Sequence, residues 1–186
     1  PPHPDQMATG WYFPHLSGHD LAAYVESSAA PVSSGAEGAV VLPLSEALTS
    51  HGDLRHERLG SLVPAEDPFV ARNEASWRDG VLVYVPSGVR LSEPVQIELP
   101  VDAGGASINW RTLIVLEDGA EAEVWEHWSS PADDVDAVLN SVVELAVGQA
   151  ATLRYVNTQD ISEQAWIFAT QRAQVERDGR LDWTAL

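Results

Sequence analysis

The run Arg111-Thr112-Leu113-Ile114-Val115-Leu116-Glu117-Asp118-Gly119-Ala120-Glu121-Ala122-Glu123-Val124-Trp125-Glu126-His127-Trp128 reads as two strands joined by a glycine turn. Its first limb is a short continuous apolar run; its second alternates polar and apolar residues, the period of a half-buried strand. The same unit recurs after Gly80. Turns at Pro86-Ser87-Gly88, Glu117-Asp118-Gly119, Ala146-Val147-Gly148 and Arg177-Asp178-Gly179 are flanked by Val81–Val85 and Val89–Leu99, Arg111–Leu116 and Ala120–Trp128, Val138–Leu145 and Ala151–Val156, and Trp166–Val175 and Arg180–Trp183. The glycines stand 31, 29 and 31 residues apart. A repeat near 30 residues in a β-rich chain points to a stacked architecture. Asp-Gly between strands is also a hairpin signal, so four antiparallel hairpins are the competing reading. The regular repeat favours stacked coils, with the four glycines at equivalent corners.

Upstream of Gly80 the texture is helical. Asp67 is placed to cap a helix that Pro68 begins and Gly80 ends, with Phe69 and Trp77 facing the body and Arg78 complementing the dipole. Ala39–Leu42 reads as a short strand broken by Pro43. Leu44, Leu48, Leu54 and Leu59 follow at helix-like spacing, with Ser45 as N-cap and Gly52 weakening the middle. A short helix is predicted over Asp20–Ser27, and Trp11, Tyr12 and Phe13 would pin the preceding arm to the body. The division is therefore residues 1–38 as an arm of low pattern, 39–80 as a helical region and 81–186 as the β core.

The 186 residues suit one domain with a small appendage and are enough for a real core. Net charge is −18, and all ten basic residues are arginine. An acid excess spread along the chain makes nucleic acid and anionic membranes poor partners. The missing lysine excludes a P-loop lysine and a Schiff base. The missing cysteine excludes disulfides, thiolate nucleophiles and thiolate-held clusters, and fits a cytoplasmic location. No apolar run approaches the roughly 20 residues of a membrane helix.

Catalytic motifs are hard to find. There is no Gly-x-Ser-x-Gly, Gly-x-Gly-x-x-Gly or His-Glu-x-x-His. Glu121 and Glu123 share the solvent face of their strand. Glu126 falls on the face that carries Val124 and Trp128, which marks it as unusual. His127 beside it points to the opposite face, which argues against a joint metal or proton-transfer site. Glu126 and His127 are nonetheless the candidate site residues. His15 and His19 lack a third ligand, His51 and His56 lie off a common face, and Asp133, Asp134 and Asp136 read as a solvated loop. The seven tryptophans read as core or cap packing, with a sugar-stacking surface as the alternative. No catalytic, metal or cofactor assignment follows; the expected reading is a non-enzyme.

One string is more specific. Asn73-Glu74-Ala75-Ser76-Trp77-Arg78-Asp79-Gly80-Val81-Leu82-Val83-Tyr84-Val85-Pro86-Ser87-Gly88-Val89 resembles the entry into the core of the SufB/SufD family of iron–sulfur cluster assembly proteins. The Arg111–Trp128 run and the helix from Leu44 to Gly60 fit the same family, so the resemblance covers roughly residues 39–186. It implies a right-handed parallel β-helix. It also implies a subunit of the SUF machinery, paired with a SufB-like protein and a SufC-like ATPase. Lack of cysteine makes the chain more like SufD, since the scaffold partner is expected to supply thiolates. The family continues beyond this length, and the partner-binding surfaces belong to that continuation. The uncapped ending Leu181-Asp182-Trp183-Thr184-Ala185-Leu186 predicts self-association of this polypeptide through its last coil. A carbohydrate-active β-helix enzyme and a purely structural β-solenoid are the alternatives.

Overall fold

The computed structural model describes residues 20–29, 32–34, 37–50, 58–64 and 66–186. Eleven strands and two helices follow one another among them. β1 (Val25–Ser27), β2 (Val32–Ser34) and β3 (Val40–Pro43) precede α1 (Leu44–Ser50) and α2 (Pro68–Ser76). Then come β4 (Asp79–Val85), β5 (Val95–Pro100), β6 (Ala106–Leu116), β7 (Glu121–Ser129), β8 (Val138–Val147), β9 (Thr152–Asp160), β10 (Trp166–Val175) and β11 (Arg180–Ala185).

Even-numbered β4, β6, β8 and β10 stack in parallel as one sheet, and β5, β7, β9 and β11 stack in parallel as a second. The glycine turns therefore carry the chain from one sheet to the other. They do not close hairpins, and the fold is a parallel β-solenoid of about three turns. At the N-terminal end, β3 pairs antiparallel with β4 and β2 antiparallel with β5. Those two strands cover the backbone edges of the first coil, as an open solenoid end requires.

The two sheets bury a common interior. Val81, Val83 and Val85 of β4 face Val95, Ile97 and Leu99 of β5, and Ile114, Val124, Leu145 and Leu153 continue these rows. The sheets differ on their outer sides. α1 packs Leu44 and Ala47 on Leu82, Leu113, Val115 and Ala146. α2 packs Phe69 beside Val138 and Phe168, the two rings stacked at 4.1 Å. The middle of the first sheet is thus buried on both faces, β6 and β8 at every residue, while β10 at its end is largely exposed. The second sheet faces solvent, and β5 and β7 alternate. This difference is the one written in the Arg111–Trp128 run: continuous apolar residues in one limb, alternation in the other.

The corner register corrects the glycine spacing. The third residue of each turn is left-handed: Gly88 (φ 71°), Gly119 (φ 71°), Ala150 (φ 55°) and Asp178 (φ 61°). Their amides form a ladder, Gly88 N to Asp118 O at 2.9 Å, Gly119 N to Gln149 O at 2.9 Å and Ala150 N to Arg177 O at 3.0 Å. Successive corners are 31, 31 and 28 residues apart. Gly148 and Gly179 lie outside this column. Gly148 is required by crowding instead, because a Cβ there would sit 2.9 Å from the Asp118 amide and carboxylate.

Three local expectations change. Over Asp20–Ser27 a single 3-10 turn, Leu21–Ala23, is capped by Asp20, and Val25–Ser27 is strand. Parallel pairing of β1 with Ala106–Ile108 of β6 overrides the helical spacing. Ser45 lies inside α1, which starts at Leu44. Asp67 caps α2 as expected, accepting from the Phe69 and Val70 amides, but Gly80 is a residue of β4 and Trp77 is the C-cap. Trp11, Tyr12, Phe13, His15, His19, His51, Leu54 and His56 lie outside the described residues.

Candidate functional site

Glu126 is fully buried between the two sheets. β7 puts it on the inward face because Val124, Glu126 and Trp128 share the strand's two-residue period. Its carboxylate meets four donors. Oε1 accepts from Trp110 Nε1 at 2.8 Å, Thr112 Oγ1 at 2.7 Å and Trp128 Nε1 at 3.2 Å, and Oε2 accepts from the Tyr155 hydroxyl at 2.5 Å. A carboxylate offers about four lone-pair sites, two on each oxygen; three donors converge on Oε1 and one on Oε2, and the Trp110 N–H is shared with Thr112 Oγ1 at 2.8 Å. Asn157, its neighbour on β9, donates to the Glu126 backbone carbonyl at 3.2 Å. Burial, and then the charge and hydrogen bond of Glu126, push the Tyr155 hydroxyl well above its usual pKa of 10.0. Ser141, also buried and on β8, has no hydrogen-bond partner for its hydroxyl among the described residues.

His127 faces the other way. Its Nδ1 stands 3.0 Å from Glu98 Oε2 on the solvent side of the second sheet, with both side chains partly exposed. The same face carries Arg90 with Glu121 and Arg154 with Glu123 and Asp182. The two candidate residues are therefore separated by the sheet itself. Chemically, Glu126 in its enclosure orders the interior, whereas His127 and Glu98 form a solvated pair. Asp136 accepts from the Tyr24 hydroxyl at 2.7 Å, which raises that phenol to about 12, while Asp133 and Asp134 are exposed. Among the described residues no three His, Cys, Asp or Glu side chains gather in a metal-binding group.

A second polar group lies outside the first sheet, beneath α2 and the 58–64 loop. Arg111 and Glu144, each 1% exposed, stand 3.7 Å apart (Nη2 to Oε2), and Glu74 of α2 pairs with Arg111 Nη1. Glu144 also accepts from the Gly60 amide at 2.8 Å and the Leu62 amide at 3.0 Å. Alongside, Asn73 donates to the Trp110 and Asn140 carbonyls, and Asn140 donates to Phe69 O and Asn109 Oδ1. These bonds fix α2 to β6 and β8. Sequence reading found Glu126 but not its partners, nor this second group. The available signal was a polar residue inside an apolar run: Thr112 before Leu-Ile-Val-Leu, and Glu144 within Val-Val-Glu-Leu.

Of the tryptophans, Trp110 and Trp128 are wholly buried against Glu126, and Trp77, Trp166 and Trp183 are half-buried. Trp125 is the exposed one among the described residues, and its ring nitrogen donates to Glu123 at 2.5 Å.

Comparison with known proteins places this architecture. Residues 22–97 match the SufBD protein N-terminal region, and residues 100–186 match the SufBD core domain of SUF system FeS cluster assembly. Curated iron–sulfur cluster assembly SufBD family proteins from Staphylococcus epidermidis and Staphylococcus haemolyticus are 30% identical over 148 residues. One from Staphylococcus aureus is 28% identical over the same length. Each alignment covers 79% of this chain and 32% of the relative, so the chain spans about a third of the length of the curated relatives it matches. The two matched regions adjoin inside β5, where the N-terminal cap meets the first coil, and together they take in the helices, both sheets and every corner of the solenoid: the chain belongs to the SufBD family.

Proposed function

We infer that the chain is part of a non-catalytic subunit of an iron–sulfur cluster assembly machine, SufD-like, working with a SufB-like protein and a SufC-like ATPase in the cytoplasm. The observation that carries this reading is the match of both SufBD regions across residues 22–97 and 100–186, in register with the solenoid and its cap. Absence of cysteine supports the SufD-like side, since a cluster scaffold normally uses thiolates. The interior chemistry agrees with a structural role, because the Glu126 carboxylate is enclosed and accepts from four donors of the surrounding strands. A sugar-cleaving reading needs two carboxylates converging on an accessible groove, about 5–5.5 Å apart in a retaining enzyme. The carboxylates on the open sheet are instead tied to Arg90, His127 and Arg154.

Co-purification tests the proposal. The full-length gene product, tagged, is expressed with the SufB-like and SufC-like proteins of the same genome. The expected result is a stable complex containing both. Recovery of the tagged protein alone, with the other two forming their own complex, would contradict it.

A further inference from the structure

We propose that Tyr155 and Glu126 form a proton-coupled trap for oxidising equivalents that enter the protein at Trp125. The trap is one hydrogen bond inside the solenoid. The Tyr155 hydroxyl donates to Glu126 Oε2 at 2.5 Å, and both side chains are fully buried. A group that takes a proton in a reaction must already stand within hydrogen-bond reach of it, and Glu126 does. In the ground state the proton stays on oxygen, since burial and Glu126 push the Tyr155 hydroxyl well above 10.0. Loss of an electron reverses that preference, because a phenol radical cation is a far stronger acid than a carboxylic acid.

The rings around the carboxylate supply the second observation. Trp110 and Trp128 donate from Nε1 to the other oxygen, so three oxidisable side chains share Glu126. Trp183 adds a fourth, its ring centroid 5.9 Å from that of Tyr155. Oxidation of such a group settles on the tyrosine, because a tryptophanyl radical is the stronger oxidant once the phenol has an acceptor for its proton.

Trp125 is the way in. It is the exposed tryptophan among the described residues, and its ring nitrogen donates to Glu123. It precedes Glu126 on β7 and pairs with Val156, the residue after Tyr155 on β9. Neighbouring strands lie about 4.8 Å apart, so only the sheet backbone separates this ring from the trap. β7 lies between β5 and β9 in the stack, and the route therefore does not use the last coil.

The oxidant is a one-electron radical of the carbonate-radical class. It takes one electron from Trp125 and leaves as carbonate. Tyr155 then passes an electron to the oxidised indole and its proton to Glu126, which leaves a neutral tyrosyl radical beside a protonated carboxyl group. One electron from a thiolate, which becomes a thiyl radical, together with the proton returned by Glu126, restores the pair.

Pulse radiolysis of the full-length gene product in bicarbonate solution makes the oxidant, and transient absorption distinguishes tryptophanyl from tyrosyl radicals. The tryptophanyl signal is expected to decay as a tyrosyl signal rises, at a rate independent of protein concentration and slower in heavy water. Trp125→Phe, a surface change, should lower the yield of that rise several-fold. Tyr155→Phe should remove it and prolong the tryptophanyl signal, with near-ultraviolet circular dichroism confirming the fold. Glu126→Gln should leave tryptophan oxidation intact and suppress the rise; if that variant does not fold, Tyr155→Phe and the heavy-water comparison decide. No tyrosyl rise in the parent, a rise that persists in Tyr155→Phe or folded Glu126→Gln, an unchanged yield in Trp125→Phe, or no slowing in heavy water would each overturn the proposal.

Discussion

At the residue scale, the corners show what a side chain costs in a left-handed turn. Ala150 occupies the conformation that Gly88 and Gly119 adopt freely. That conformation costs an L-residue about 1–2 kcal/mol, whereas glycine gives up roughly 0.5–1 kcal/mol of chain entropy. Ala150→Gly is therefore expected to leave stability unchanged or to raise it slightly. Gly119→Val should lower it by about 1–3 kcal/mol, since a β-branched residue is worst there. Denaturant unfolding of the two variants measures the contrast; equal losses would contradict the corner register. The four-residue ladder was only half legible in the sequence. Gly88 and Gly119 announced themselves, but Ala150 and Asp178 do not look like left-handed residues. Gly148, conspicuous in the sequence, answers to the Asp118 backbone and not to a turn.

Tyr155 gives a pH dependence. Burial and Glu126 hold its hydroxyl well above 10.0. The folded state therefore keeps a proton that the unfolded chain releases near pH 10, and stability falls as pH rises above about 10. Tyr24, at about 12, and Tyr84, raised by burial and Glu117, act in the same direction. Denaturant midpoints measured across alkaline pH should decline in the parent protein and decline less steeply in Tyr155→Phe. Identical slopes would show that Tyr155 is not shifted. The inward side of Glu126 could be read from its place between Val124 and Trp128. Its four donors could not, because Thr112, Trp110 and Tyr155 meet it only through coil stacking and across the interior.

At the scale of elements, α2 was the most legible, because Asp67 and Pro68 are local signals and the structure uses both. Replacing Asp67 by alanine removes the acceptor for two amides and should cost about 1 kcal/mol. Gly80 carries a different constraint. A Cβ there would lie 2.3 Å from the Arg111 carbonyl, backbone against backbone, where β4 and β6 pair. Gly80→Ala should consequently destabilise more than Asp67→Ala; thermal unfolding of the pair checks the order. Gly80 was misread as a helix stop since both roles put a glycine soon after a helix. β1 was misread for a related reason. Three residues with Val25 exposed carry no strand pattern, and their partner on β6 is some 80 residues away.

At the scale of the whole molecule, the 30-residue repeat could be read from the chain, and so could the solvated side of the Glu121–Trp128 strand; that helices cover the other sheet could not. Parallel stacking could not be separated from hairpins by local pattern, because an Asp-Gly turn serves both. The long resemblance from Asn73 to Val89 supplied what periodicity lacked. The cysteine-free composition makes a further prediction. Anaerobic reconstitution of this polypeptide with iron and sulfide should leave no stoichiometric charge-transfer absorption after desalting.

The most direct test of a role in cluster assembly is depletion of the full-length protein in its own cell. The measurement is the specific activity of an iron–sulfur dehydratase, normalised to the amount of its polypeptide. The SUF-subunit account predicts a marked fall in activity with the polypeptide level unchanged, recovered when clusters are rebuilt chemically in the extract. Full dehydratase activity in depleted cells, with no second assembly system present, would contradict it.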